Sequence, residues 1–321
     1  MLLDLNSLFG PGPLGALSGL AAEAALGYPA ALHRRLPHPV VWLGGAISGL
    51  DRRWNRPTIS AAGRRLLGLL TLVIVAGLAG GVGWGVQRLA AALPFGLMLF
   101  AAAASLGLAQ RSLFTHVAAV REALMAGDLP AARTAVGWIV GRDTQRLDEN
   151  EVAAATLESL AESFNDGIVA PAFWLAVAGL PGLFVYKAVN TADSMIGHME
   201  PRWRAFGWAA ARTDDLLNLV PARLAGLIIT MAGQGGFRTM LRDASKHASP
   251  NAGWPEAAMA GALGRELGGP ASYDGAVVDR PRFGDGPRPG PLDVDRGQRV
   301  YVAACALLWI LAAAGALVWP L

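Results

Sequence analysis

The chain has 321 residues, of which 53% are hydrophobic and only 16% charged. A soluble domain carries about 25% charge, so an ordinary cytosolic globule is excluded, and the high apolar content excludes disorder. The formal net charge is +3. The basic residues gather in the connections between apolar runs, where they report membrane orientation; no nucleic-acid partner is expected.

The predicted elements begin with a weak apolar segment over residues 14–32, interrupted by Glu23 and Pro29. It lacks a basic flank and a cleavage site, so it reads as a first membrane helix rather than a signal peptide. Residues 66–86 and 89–109 are two clean runs near the bilayer-spanning length, with a turn expected at Arg88 between them. Residues 168–189 carry Pro171 and a central Gly179-Leu180-Pro181-Gly182. Each half is about ten residues, roughly 15 Å of helix, so this run is expected to break and re-enter. Residues 216–233 contain Asn218, Pro221 and Arg223 and are read the same way, because such groups at membrane depth need a protein-lined or wet surrounding. The last run, 300–319, is clean. The expected fold is therefore all-α and polytopic, a single membrane-embedded domain over residues 1–321. It has about four clear transmembrane helices plus two broken or re-entrant hydrophobic segments.

Arg34, Arg35, Arg52, Arg53, Arg56, Arg64 and Arg65 lie between the first two runs. The positive-inside rule places that loop in the cytoplasm. Segments 110–167 and 237–299, also rich in arginine, are then cytoplasmic too, and a site built there faces the cytoplasm from the cell membrane. Residues 280–290 are Pro-, Gly- and Arg-rich without apolar period and read as an irregular loop. The single cysteine, Cys305, excludes an intrachain disulfide and a Cys-rich zinc site. There is no Walker pattern, so nucleotide chemistry would not use a P-loop.

The polar residues collect in four tracts. Gly141-Arg142-Asp143 leads to Asp148-Glu149-Asn150-Glu151, where Asp148 or Asn150 can cap a helix starting near Glu151. On that helix Glu158, Glu162 and Asp166 are spaced i, i+4, i+8 and share one face. A solvated acidic face accounts for them equally well, but the face runs straight into an apolar segment, where carboxylates want a cation or a basic partner. Mg²⁺, which takes one or two carboxylates plus substrate phosphates, suits it. In the third tract Lys187, Asn190, Thr191 and Asp193 share a helical face; the alternative is a lysine snorkelling to the interface beside an ion-pair partner. Lys187 and Lys246 are the only lysines. The fourth tract places Asp214-Asp215 before Asn218 and Arg223, and then Lys246-His247-Ala248-Ser249-Pro250-Asn251-Ala252-Gly253-Trp254-Pro255-Glu256 before a helical run. A Gly- and Pro-shaped loop ahead of a helix N-terminus is a natural phosphate cradle.

These strings, with Pro37-His38-Pro39-Val40, Glu162-Ser163-Phe164-Asn165-Asp166-Gly167, Lys187 through Gly197, and Pro221-Ala222-Arg223, resemble the adenosylcobinamide-phosphate synthase (CobD/CbiB) family of cobalamin biosynthesis. The resemblance runs over nearly the whole chain in the same order. One departure is Tyr28, which stands where the family's N-terminal Gly-Asp-Pro string has an acid. The resemblance implies an integral membrane ligase. It would join adenosylcobyric acid, as an amide, to (R)-1-amino-2-propanol phosphate or threonine phosphate, giving adenosylcobinamide phosphate with ATP as the energy source. Other corrin-pathway membrane enzymes are expected as partners, along with the lipid bilayer.

Residue chemistry laid over those motifs gives expected roles. Amide formation from a free carboxylate is uphill without activation. An acyl phosphate with Mg²⁺ on the transferring phosphates would supply it, and the attacking amine must lose a proton to a base. Glu162, Asp166, Asp193 and Asp214 are expected at Mg²⁺. Arg142, Lys187, Arg223 and Lys246 are expected on phosphates, with Asn165, Asn190, Thr191, Ser249 and Asn251 also binding substrate. Asp215 or His247 would take the amine proton, and Lys187 completes the catalytic set. A corrinoid or small-anion transporter and a non-catalytic scaffold for corrin enzymes are the alternatives.

Overall fold

The computed structural model describes residues 12–28, 35, 37–273 and 275–318. Residues 29–32, Arg34 and Trp319, which belong to the first and last predicted stretches, fall outside them. In chain order the described helices are α1 (Pro13–Leu26), α2 (Pro39–Trp54), α3 (Ala61–Ala92), α4 (Gly96–Ser105), α5 (Gln110–Met125), α6 (Leu129–Val136) and α7 (Glu149–Phe164). A π-turn (Asn165–Val169) leads into α8 (Ala170–Ile196), followed by α9 (Trp208–Ala232), α10 (Phe237–Asp243), a 3₁₀ turn (Ala244–Lys246), α11 (Gly253–Leu263) and α12 (Pro291–Val318). Between α11 and α12 lie four very short strands, β1 (Leu267–Gly268), β2 (Ala271–Tyr273), β3 (Ala276–Val278) and β4 (Arg282–Phe283).

Among the described residues, five helical stretches are long and apolar enough to cross a membrane: Ala61–Ala92, Gly96–Met125, Glu149–Ile196, Trp208–Ala232 and Pro291–Val318. The fold is mostly helical and polytopic, as the apolar runs require. α1 is apolar but has only 14 residues, short of a span. The chain divides into two compact units, each made of discontinuous segments: residues 1–109, 170–218 and 311–321, and residues 110–169 and 219–310.

In the first unit α8 packs against α3, α2 and α1, and α1 against α4. One core cluster joins Ile47, Leu72, Val75, Val189, Ile196 and Phe206. Another joins Ala16, Phe100, Leu175, Leu180 and Leu183. The outer side of α3 exposes Leu66, Val73, Leu78, Val82 and Trp84, the surface a lipid-facing helix presents. Local caps set the helix ends. His38 accepts from the Val40 amide ahead of α2, and Ser60 from the Gly63 amide in α3. The turn expected at Arg88 comes later: α3 continues to Ala92 and stops because Pro94 drives Leu93 into an extended conformation, φ −102°, ψ 144°.

The break expected in α8 is present. Ala178 (φ −138°, ψ 17°) and Gly179 (φ 64°, ψ −156°) leave the helical region. Only glycine adopts that positive φ without strain, and a Cβ on Gly179 would lie 2.3 Å from Gln87 Oε1. The break leaves the Leu180 amide without a helical acceptor, and Gln87 of α3 accepts it at 2.8 Å. The 216–233 stretch differs from expectation: α9 runs unbroken through Pro221.

In the second unit α7 is buried along most of its length, through Val152, Leu157, Leu160 and Phe164. Of the two caps the sequence offers, Asp148 is the one used, and Glu151 returns the bond to make a capping box. Asp148 accepts from the Glu151 amide and Glu151 from the Asp148 amide, each at 2.8 Å. The π-turn follows where Pro171, two residues beyond it, has no N–H to continue regular pairing. Phe164 meets Tyr301 edge-on at 5.9 Å, and Tyr301 donates to the Gln110 carbonyl at 2.7 Å. β1 pairs with β4 and β2 with β3, both antiparallel. The stretch read as an irregular loop therefore contains β4 and is fastened at several points.

Candidate active site

The expected residues fall into two groups, one in each unit. In the second unit the centre is Glu158, 2% exposed on α7. Its Oε2 accepts from Arg142 and, at 3.0 Å, from Arg280; its Oε1 accepts the Gly268 amide at 2.8 Å. Glu256, in the first turn of α11 and 1% exposed, stands beside them, with Arg280 Nη2 3.8 Å from its Oε2 and His247 Nε2 3.7 Å from its Oε1. Glu162, one turn along α7 from Glu158, keeps an exposed side chain and shares the electrostatic field of Glu158, Glu256, Arg142 and Arg280. Burial, with Glu162 and Glu158 as like-charged neighbours, pushes the Glu256 carboxyl well above its usual range.

His247 is fixed in a defined state. Its Nδ1 accepts the Ser249 amide at 2.9 Å, so in the neutral ring the proton sits on Nε2, toward Glu256. Burial and the Arg280 charge lower its pKa, which keeps the ring neutral. The loop expected to cradle phosphate uses its own amides: Ser249 Oγ accepts from Asn251 at 3.2 Å and from Ala252 at 3.4 Å. Asn251 Oδ1 accepts from Arg223 at 2.8 Å, and the Arg223 guanidinium lies 4.7 Å over Trp254. Ser249, Asn251 and Arg223 thus brace one another.

Lys246 is 2.7 Å from Asp243, which Arg242 also grips at 2.7 Å and the Gly284 amide at 2.8 Å. Arg242 further pairs with Asp285. This clasp holds the segment after β4 against α10. The Arg242 hydrogen bond is the main cause that holds the Asp243 carboxyl below its usual range, with Lys246 and the Gly284 amide adding to it. A carboxyl lowered in the folded state adds stability above its ordinary pKa of 3.8 and loses it as pH falls through the lower folded value. Residues 282–286 are therefore expected to gain amide exchange selectively as the protein is acidified below that ordinary value. Hydrogen exchange as a function of pH checks this, and Asp243→Asn should remove the dependence.

In the first unit Lys187, Asn190 and Thr191 lie on α8 and Asp214 and Asn218 on α9. Lys187 Nζ is 3.4 Å from Asn190 Oδ1, and Asn190 Nδ2 donates to Asp214 Oδ1 at 3.4 Å. Asn218 donates to Asp214 Oδ2 at 2.9 Å and accepts from the Tyr186 hydroxyl at 3.1 Å. Thr191 Oγ1 is turned back to the Lys187 carbonyl at 2.7 Å. The Asp193 carboxylate packs where residue 197 has no side chain: a Cβ there would come within 1.9 Å of Asp193 Oδ1. Asp215 pairs with Arg212 at 3.4 Å, and in the second unit Asn165 donates to Asp166 at 2.7 Å.

Three residues of the second-unit cluster, Glu158, Glu256 and Arg280, are additions to the expected site. Glu158 shares a face with Glu162 and Asp166, a signal present in the spacing. Glu256 sits in a quoted motif, where it reads as an acid at a helix N-terminus. Arg280 carried no signal, because its acceptor is 122 residues away in sequence.

Together these features define a multi-pass helical membrane protein with a buried carboxylate–guanidinium cluster. The family described as CobD/Cbib protein matches residues 16–301. The chain is 48% identical over 305 residues to the cobalamin biosynthesis protein CobD of Rhodobacter capsulatus (94% of this chain, 96% of that one). It is 45% identical over 302 residues to the protein of that name from Sinorhizobium sp (90% and 93%), and 44% over 291 residues to that of Geobacter metallireducens (87% and 90%). The chain belongs to the CobD/CbiB family of cobalamin biosynthesis proteins. No solved structure matches it.

Proposed function

We propose that this chain is the amide-forming ligase of its pathway, joining the free carboxylate of adenosylcobyric acid to (R)-1-amino-2-propanol phosphate or threonine phosphate at the expense of ATP. The observation that carries the choice of ligase over transporter is where the charge sits. Four of the cluster's groups, Arg142, His247, Glu256 and Arg280, stand outside all five apolar helical stretches, and Glu158 and Glu162 reach it from α7, at the start of Glu149–Ile196; a transporter would line its spans more widely with such groups. With the orientation expected from the loop arginines, this cluster would face the cytoplasm, the side that supplies ATP.

The described residues contain no group of three or more His, Cys, Asp or Glu side chains that could cage a metal. A caged resident ion does not fit them. Mg²⁺ arriving with nucleotide needs only one or two carboxylates, the remainder coming from phosphate and water. Asp193 and Asp214 are two of the candidate acids; Asp214 is linked through Asn190 to Lys187, whose ammonium would neutralise a phosphate. Glu162, in the field of Arg142 and Arg280, and Asp166, which acts on Glu162, are the other two candidate acids. The metal would supply charge neutralisation of the transferring phosphates. Arg142 and Arg280, held by Glu158, set a fixed positive field for anionic groups. His247 offers an Nε2–H and no free lone pair, so it is assigned as a hydrogen-bond donor, and Asp215 is kept as the side chain that takes the amine proton.

The test is a turnover assay on the purified full-length protein in lipid nanodiscs. ATP-dependent formation of adenosylcobinamide phosphate from the two substrates is the expected result. Absence of product, with corrinoid uptake into proteoliposomes instead, would replace this reading with transport.

A further inference from the structure

Of the Gly141-Arg142-Asp143 string, the cluster at Glu158 uses only Arg142. Asp143 bonds elsewhere in the second unit. Its amide donates to the Ser272 carbonyl at 2.8 Å, and its Oδ2 accepts the Ser272 hydroxyl and the Gly275 amide, each at 2.8 Å. Ser272 lies in β2, and Gly275 lies in the turn of the β2–β3 hairpin, between the paired Tyr273 and Ala276. The hairpin is the tip of an excursion, residues 269–281, slung from the β1–β4 pair and closed at its neck by the Gly269 amide on the Pro281 carbonyl at 3.0 Å. β3 is exposed along its length, and a two-stranded hairpin without a buried face is at best marginally stable alone. Its place is therefore set by what ties it down. The same excursion carries Arg280, two residues beyond β3, whose Nη1 donates to Glu158 Oε2 at 3.0 Å.

Asp143 is exposed, so water alone would satisfy its carboxylate, and burial does not call for these bonds. Their effect is positional. Two adjacent residues seat both guanidiniums on one carboxylate oxygen: Arg142 by its own side chain, Arg280 through the hairpin that Asp143 ties. The structure assigns Asp143 as the positioning residue that, by way of the β2–β3 hairpin, holds Arg280 beside Arg142 as a pair for phosphate groups. This rests on the proposed function only in taking the two guanidiniums as a place where phosphate binds. With the tip untied, Arg280 hangs from β4 on a segment free to move, and an anion that engages it must first order that segment, which lowers affinity.

The test is calorimetric titration of the full-length protein in nanodiscs with inorganic pyrophosphate. Asp143→Ala is expected to weaken binding about tenfold. Asp143→Asn, whose amide oxygen can still accept both donors, should keep most of the affinity, and Ser272→Ala, which removes one bond of the three, should fall between. The deciding measurement is a double-mutant cycle. In an Arg280→Ala background, itself weaker than wild type, Asp143→Ala should have no further effect, because no guanidinium is left to position. A merely structural role would lower affinity equally in both backgrounds; that result, or wild-type affinity in Asp143→Ala, would overturn the assignment and leave the guanidinium pair standing. If Asp143→Ala fails to elute as a single species, the same cycle with Ser272→Ala decides. Wild-type affinity in Arg280→Ala, or no binding of pyrophosphate by the wild type, would remove the guanidinium pair as a phosphate site and this inference together.

Discussion

Glu158→Ala is expected to destabilise the second unit by about 3–5 kcal/mol, the cost of stranding buried charge when one partner of an ion pair is removed. The substitution strands two guanidiniums at once, since Arg142 and Arg280 share Oε2 of this one carboxylate. It also frees the Gly268 amide, which Glu158 Oε1 accepts at 2.8 Å. The three partners come from three separate segments, so the effect should spread beyond α7. Hydrogen exchange should show protection lost at 267–268 and 280–283 together, while the first unit holds its protection. Glu158→Gln keeps the shape and one acceptor and should fall between the two. A wild-type melting profile for Glu158→Ala in the same detergent would show that the arginines find other partners and that Glu158 is not the hub.

Lys187→Arg is expected to keep the protein folded and lose most of its activity. If Lys187 merely snorkels to an interface, arginine serves as well. If it neutralises a phosphate, its compact ammonium on a flexible stem occupies space that the planar guanidinium does not fit. The neighbourhood sharpens this contrast. Asn190 lies 3.4 Å from the ammonium and is itself tied to Asp214, which Asn218 holds at 2.9 Å. A longer, wider head would press on this chain of contacts. Losing one charge-assisted contact in a dry site is worth about 2–4 kcal/mol, or roughly 30- to 1000-fold in rate. Turnover measured at saturating ATP, with circular dichroism to confirm folding, checks it. Wild-type turnover would return Lys187 to the role of an interfacial anchor and leave the family assignment intact.

What the sequence made legible follows from range. A cap at Asp148 or Asn150 could be read because a cap lies next to the helix it starts, and the break at Gly179 because Gly-Leu-Pro-Gly disfavours a continuous helix. The shared face of Glu158, Glu162 and Asp166 was visible from spacing alone. Arg88 misled: a single arginine between two apolar runs resembles a turn, but a long helix carries it near its end and the stop comes from Pro94. Ser249 and Asn251 are expected to bind substrate from their types alone; their own acceptor contacts, with a loop amide and the Arg223 guanidinium, were not visible in the sequence. Arg280 was hidden in a Pro- and Gly-rich stretch, and only the folding of the chain reveals that such a stretch carries a side chain into a buried acidic cluster.

The bond from the Leu180 amide to Gln87 has a consequence for how the chain is made. A segment whose central amide has no acceptor of its own cannot rest alone in hydrocarbon at equilibrium. Residues 170–196 therefore depend on a side chain supplied by 61–92, a stretch that leaves the ribosome well before them. Biogenesis is in this sense ordered: the earlier helix is already on hand when the later one arrives, and the kink is sealed on contact rather than exposed to lipid. A change at Gln87 would act as a fault in membrane assembly, read as lower yield and faster proteolytic clearance, although it touches none of the charged groups of the candidate site.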